Sequence, residues 1–233
     1  MAASWPLAGG STVEPGQMPV TGSFPLAQAL REGTRELHAA VERSTLMQAL
    51  LRGRFARPVY LLLLRNLHPI YEVLEAALAR HAAHPGLAPL ALAGLARAPQ
   101  LAEDLCHLHG ARWAQELPEL AEARRYVERL AELEGQAPAL LAAHAYVRYL
   151  GDLSGGQLLQ GIVARTLGLA GEAGTRFYAF GAPGAAQVLA QRLRRSLDGV
   201  AADAQAAAAC VAEARSAFVR HQRLFDEIAA AAA

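Results

Sequence analysis

No lysine occurs among the 233 residues; all 22 basic side chains are arginine. That excludes a lysine Schiff base, a Walker-type phosphate lysine and a lysine general base. Cysteine is nearly absent too. Cys106 and Cys210 stand far apart with no further cysteines between them, too few for a disulfide framework, which points to a reducing cytoplasm. An excess of charge of one sign is missing: a formal net charge of +1 gives no general affinity for nucleic acid. No uninterrupted apolar run reaches the ~18 residues of a membrane span. Residues 1–23 lack a basic segment ahead of an apolar one, so they read as a disordered extension and not as a signal peptide. Residues 230–233 form a short alanine tail, too short for an anchor.

What is abundant is alanine and leucine, in a chain that is 53% hydrophobic and 18% charged, which favours helices around one core. Ser23 is an expected N-cap ahead of Pro25. Helical periodicity then predicts helices near 26–50, 58–82, 99–109, 118–134, 138–168, 185–198 and 201–229. Pro58, Pro118 and Pro138 stand at expected starts, and Gly110, Gly135 and Gly168 at expected stops. Residues 84–99 read as a loop with one helical turn. No alternating strand pattern appears, so the expectation is an all-α, single domain over residues 24–229.

Two stretches carry unusual chemistry. In LREGTRELHAAVE, Thr34, His38 and Glu42 recur every fourth residue and share one helix face, with Arg31 and Arg35 on nearly the same side. An imidazole that binds a metal works best when its second nitrogen meets an acceptor, and Glu42 is placed to be one. The arginines suit a ligand with carboxylates at its edge. The same spacing also describes a solvated face whose histidine does nothing. The other histidines offer no rival: none has Glu three residues before it, as a di-iron bundle requires.

The second stretch is YLGDLSGGQLLQG, residues 149–161. Each mid-helix glycine costs ~1 kcal/mol relative to alanine, yet Gly151, Gly155, Gly156 and Gly161 fall within one expected helix. Either a flat ligand lies against bare backbone there, or another helix packs closely. Asp152 within this turn, with Tyr146, Arg148 and Tyr149 before it, favours a site, because an unpaired carboxylate in an apolar helix is expensive.

Together these stretches resemble the proximal and distal helix motifs of haem oxygenases. The similarity runs from Leu26 to Ile228 and includes LHPIYEVLEAAL, RYVERL and EARSAFVRHQRLFDEI. It implies a haem oxygenase-like fold with haem b, both substrate and cofactor, sandwiched between the first helix and the glycine-rich helix. It implies His38 as the iron ligand, Glu42 behind it, and Gly151, Gly155 and Gly156 as the backbone that haem approaches. Asp152 would order the water that delivers a proton to dioxygen, with Arg148 and Tyr146 holding the surrounding hydrogen bonds. Thr34, Tyr149, Phe218 and Phe225 are expected to line the haem pocket. Phe218 and Phe225 also read as plain core.

The implied reaction is cleavage of haem by O₂ to biliverdin, of the α isomer, with release of CO and ferrous iron. Arg31 and Arg35 match basic positions along the haem edge. Where some family members carry further basic residues on the penultimate helix, this chain has Gln187 and Gln191, and the nearby Arg192, Arg194 and Arg195 could substitute after a small rotation. No flavin, nicotinamide or iron–sulfur motif is present, so an external electron donor is implied: a ferredoxin, a flavodoxin or an NAD(P)H-dependent reductase. Arg124, Arg125 and Arg129 are candidates for its docking surface, or a solvated helix face. A monomer without a membrane anchor is expected. Two rivals remain: a haem carrier or sensor, and a thiamin-processing enzyme on a related fold, which needs a cysteine nucleophile.

Overall fold

The computed structural model describes residues 24–231; Ser23 and the expected extension lie outside them. Among the described residues every regular element is helical. The first expected helix is two: α1 (Leu26–Glu42) and α2 (Thr45–Leu51). Ser44 breaks it, taking an extended conformation and accepting the Met47 N–H on its side chain, as an N-cap serine does. Met47 therefore belongs to α2.

α3 (Arg57–Arg80) buries the run Tyr60–Leu64 together with Ile70, Tyr71 and Leu74. Residues 84–97 form a loop with one 3₁₀ turn at Ala88–Leu90. α4 (Ala98–His109) ends before Gly110, whose φ of 116° only glycine adopts readily. A short helix, α5 (Trp113–Glu116), follows, which the sequence pattern does not announce. α6 (Ala121–Gln136) begins after, not at, Pro118. Asn66 accounts for that shift: it donates to the Pro118 carbonyl and accepts the Leu120 N–H, holding this stretch as a connection. The Glu227 carboxylate then accepts the first amides of α6, from Ala121 and Glu122.

α7 (Leu141–Leu167) runs unbroken through all four glycines and stops at Gly168, in the left-handed region with φ 64°. α8 (Ala185–Leu197) and α9 (Ala204–Ala231) complete the domain. α9 is the central strut, packed by α1 on one side and α7 on the other, while α3 packs on α4 and α6. Asp198, just past α8, accepts the Ala27 N–H and fixes the start of α1.

Behind α7 the chain is stapled by two charged side chains. Arg97, 4% exposed, donates to the carbonyls of Gly94, Leu95, Ala96, Phe177 and Ala179. Asp104 accepts the amides of Arg176 and Phe177. These contacts hold Tyr178 against α7. The site therefore has a rigid back wall.

Candidate functional site

A cleft of about 710 Å³ opens between α1 and α7, within the usual range for small-molecule sites. α1 lines it with Arg31, Thr34, Arg35 and His38, as the i, i+4 spacing predicts. α7 contributes Tyr146, Leu150, Gly151 and Ser154; Phe218 of α9 forms the floor, and Arg194 of α8 stands at the rim.

His38 is half-exposed, edge-on to Phe218 with ring centroids 5.9 Å apart. Its Nδ1 lies 3.7 Å from Glu42 Oε1, close enough for electrostatic orientation though longer than a hydrogen bond. Glu42 itself does not line the cleft. A Cβ added at Gly151, which lines the cleft with His38, or at Gly155, which does not line it, would meet nothing within 4 Å. Both leave open space beside the α7 backbone, and at Gly151 that space belongs to the cleft, where a flat macrocycle can use it. Gly156 has a different setting: it is buried, and an added Cβ would come within 3.3 Å of the Tyr178 ring. The structure puts it against the back wall and outside the cleft.

Among the described residues, Arg31, Arg35 and Arg194 take part in no ion pair. Three guanidiniums without ion pairs, with Glu32 the one acidic residue of the lining and Val147, Leu150 and Phe218 its apolar part, fit an apolar ligand with carboxylates at one edge. Gln187, Gln191, Arg192 and Arg195 are exposed and do not line the cleft, so Arg194 is the basic residue that α8 supplies. Arg124 donates to the Glu119 carbonyl, Arg125 pairs with Glu122, and Arg129 pairs with Glu132 and Glu213. That patch is occupied by the chain's own acceptors. Neither cysteine lines the cleft; Cys210 is buried in α9, and burial pushes its thiol up to about 12. A cysteine nucleophile is absent from the cleft.

Asp152 sits one residue behind Gly151 with its carboxyl turned from the cleft toward α3. There Oδ2 accepts the hydroxyl proton of the fully buried Tyr71. Arg148 donates to the same hydroxyl from Nε at 3.1 Å and Nη2 at 3.0 Å. Its Nη1 lies 2.6 Å from Nδ1 of His221. Burial pushes the Asp152 carboxyl up to about 6, although Arg148, Tyr71 and Arg97 pull the other way. A carboxyl there can gain and lose a proton near neutral pH. For Arg148, burial disfavours the charge, but Tyr71 and Asp152 outweigh it and the guanidinium stays protonated. Burial, and then Arg148, push His221 well below its ordinary value.

Tyr149 points away from the cleft, its hydroxyl 3.5 Å from Glu75. Phe225 is buried against the His221 ring at 4.1 Å between centroids. Neither lines the cleft. The sequence pattern misses Tyr71 and the part played by His221. The signal for His221 was available: it falls at i+3 from Phe218 and i–4 from Phe225, on one face of α9.

Comparison with known proteins agrees with this geometry. A family model described as "Heme oxygenase" matches residues 24–227. "Heme oxygenase 1" of Nostoc sp. is 32% identical over 203 residues, covering 87% of this chain and 85% of its own. The crystal structure of heme oxygenase-1 from Synechocystis sp. PCC 6803 in complex with heme superposes with a TM-score of 0.83 at 34% identity, covering 88% of this chain and 92% of that one. The heme oxygenase of Leptospira interrogans gives 0.82 at 33% identity, covering 88% and all of its chain. With the family model matching nearly all of the described residues, and relatives more than 30% identical over most of both chains, the chain belongs to the haem oxygenase family of enzymes.

Proposed function

We propose that this chain binds haem in the cleft between α1 and α7 and cleaves it to biliverdin, the α isomer, releasing CO and ferrous iron. Bound haem supplies both the iron that activates dioxygen and the macrocycle that is opened. One observation carries the reading: His38 lines one cleft with the bare backbone of Gly151, among arginines that make no ion pair. His38 is the iron ligand, and Glu42 orients its ring from Nδ1. Arg31, Arg35 and Arg194 hold the propionates and so fix how the macrocycle sits in its plane. Phe218 packs on its face. Asp152 orders the water that delivers a proton to dioxygen, supported by Tyr71 and Arg148. Electrons come from a separate protein of the ferredoxin, flavodoxin or reductase type. Arg124, Arg125 and Arg129 are candidates for its docking surface; Arg125 and Arg129 also pair with Glu122, Glu132 and Glu213. The chain acts as a cytoplasmic monomer; among the described residues no helix is long and apolar enough to cross a membrane.

Replacing the ligand tests this. His38→Ala should still take up hemin, with changed iron coordination in its visible and resonance Raman spectra. It should lose turnover, and added imidazole should restore part of it. Normal turnover without imidazole would remove His38 from its role.

A further inference from the structure

One acidic side chain, Glu32, lines the cleft among its cations, and a site for an anionic ligand gives it no evident task. It stands on α1 next to Arg31 and one turn before Arg35. Among the described residues it nonetheless pairs with neither of them, nor with Arg194. Gln28 holds it instead: Nε2 donates to Glu32 Oε1 at 2.9 Å, from one turn nearer the start of the helix. At about 100° per residue, Arg31, Arg35 and His38 share the middle of the α1 face, with Thr34 at one margin and Glu32 at the other. The Thr34 margin is buried and joined to Tyr146 of α7. The Glu32 margin, with Gln28 beside it, is exposed and forms the open edge of the cleft. Propionates must stay at such an edge, because burying their charge is costly.

We infer that Glu32 is a specificity-determining residue: its carboxylate bars the outer flank of α1 to the propionates, so that they reach Arg31 and Arg35 from within the cleft only and the macrocycle keeps one orientation in its plane. The inference rests on the reading of the cleft as a haem site. An anion that approached from the flank would meet Glu32 before either guanidinium, and like charges repel. Discrimination of this kind uses a repulsive element beside the attractive ones, and it weakens binding slightly. Gln28 is the positioning residue for Glu32. Arg35 lies three residues on, within reach of a helix ion pair. That pair would neutralise Arg35 and remove the barrier together, and the amide of Gln28 draws the carboxylate the other way.

Hemin titration and proton NMR of the ferric, cyanide-bound complex test this together. Glu32→Gln keeps the shape and an acceptor for Gln28 but removes the charge. It should bind hemin roughly 1.5- to 5-fold more tightly at low salt, the range of an exposed charge pair, and the gain should shrink at high salt. Its haem methyl resonances should show a second in-plane orientation beside the first, and turnover should release a second biliverdin isomer. Glu32→Asp keeps the charge and should hold one orientation. Gln28→Ala should bind hemin more weakly by a similar factor, as Glu32 turns to Arg35. Hemin dimethyl ester, which carries no propionate charge, should bind wild type and Glu32→Gln equally. Unchanged or weaker hemin binding by Glu32→Gln with a single orientation would overturn the inference, and so would a gain of the same size for the dimethyl ester, which would mark a packing effect. A wild type that takes up no hemin would overturn the haem reading and the inference with it, an outcome distinct from normal uptake that Glu32→Gln leaves unaltered.

Discussion

The hydroxyl of Thr34 on α1 lies 3.3 Å from the hydroxyl of Tyr146 on α7, bridging the two walls of the cleft. Thr34 has one proton, already given to the Leu30 carbonyl at 2.7 Å. Tyr146 must therefore be the donor across the gap. Tyr146→Phe should keep the fold and loosen this junction, costing about 0.5–1.5 kcal/mol of hydrogen bonding. Hemin affinity should drop by roughly 3- to 10-fold. Equilibrium titration would check it; an unchanged affinity would mean that the bridge does not set the width of the cleft.

The glycines of α7 should behave differently from one another. Gly151→Ala puts a methyl group into open space within a helix, so the ligand-free protein should gain up to ~1 kcal/mol. The same methyl group intrudes on the slot, so hemin affinity should fall. Gly156→Ala should bring a smaller gain or a loss of stability, because Tyr178 must give way. Urea unfolding and hemin titration of both variants would show whether stability and binding move in opposite directions at Gly151 alone.

How much of this was legible beforehand follows from the kind of signal each feature carries. The helices were readable because their periodicity and their stops at Gly110 and Gly168 are local. The split at Ser44 was local as well, but hidden within a continuous helical pattern. The start of α6 was not local: Asn66 and Glu227 set it, from far along the chain. The α1 face carrying Thr34 and His38 could be read from spacing alone, since one helix presents it. The distal network could not, since Tyr71, Arg148, Asp152 and His221 come from three helices. Gly155 and Gly156 are adjacent, yet one faces open space and the other the Tyr178 ring, a distinction only packing makes.

Among the arginines of α8, Arg194 alone lines the cleft. Arg194→Gln should weaken hemin binding by about 1.5–3 kcal/mol if it bonds a propionate, as for a hydrogen bond to a charged group. It should also change the ratio of biliverdin isomers. Arg192→Gln should do neither. Chromatography of the products separates the two cases; equal effects from both variants would point to general surface charge.

Asp152 should leave a mark on stability as well as on turnover. Its carboxyl titrates near 6 when folded, against an ordinary 3.8. The folded protein therefore keeps a proton that the unfolded chain has released between about pH 4 and pH 6. Stability falls as pH rises through that window and is level above it, a loss on the order of 3 kcal/mol. Asp152→Asn should abolish this component. Urea unfolding from pH 4 to pH 7 would test it, and parallel profiles for the two proteins would count against a raised carboxyl.

The central claim is that the cleft between His38 and Gly151 both holds haem and directs its cleavage. One equivalent of hemin, followed by a reductant and catalase under air, tests it in a single visible-spectrum series. The account predicts a Soret band on binding, its loss after reduction, and the growth of a biliverdin absorption. A Soret band that persists in the reduced, aerated protein would contradict it and mark the chain as one that holds haem without opening it.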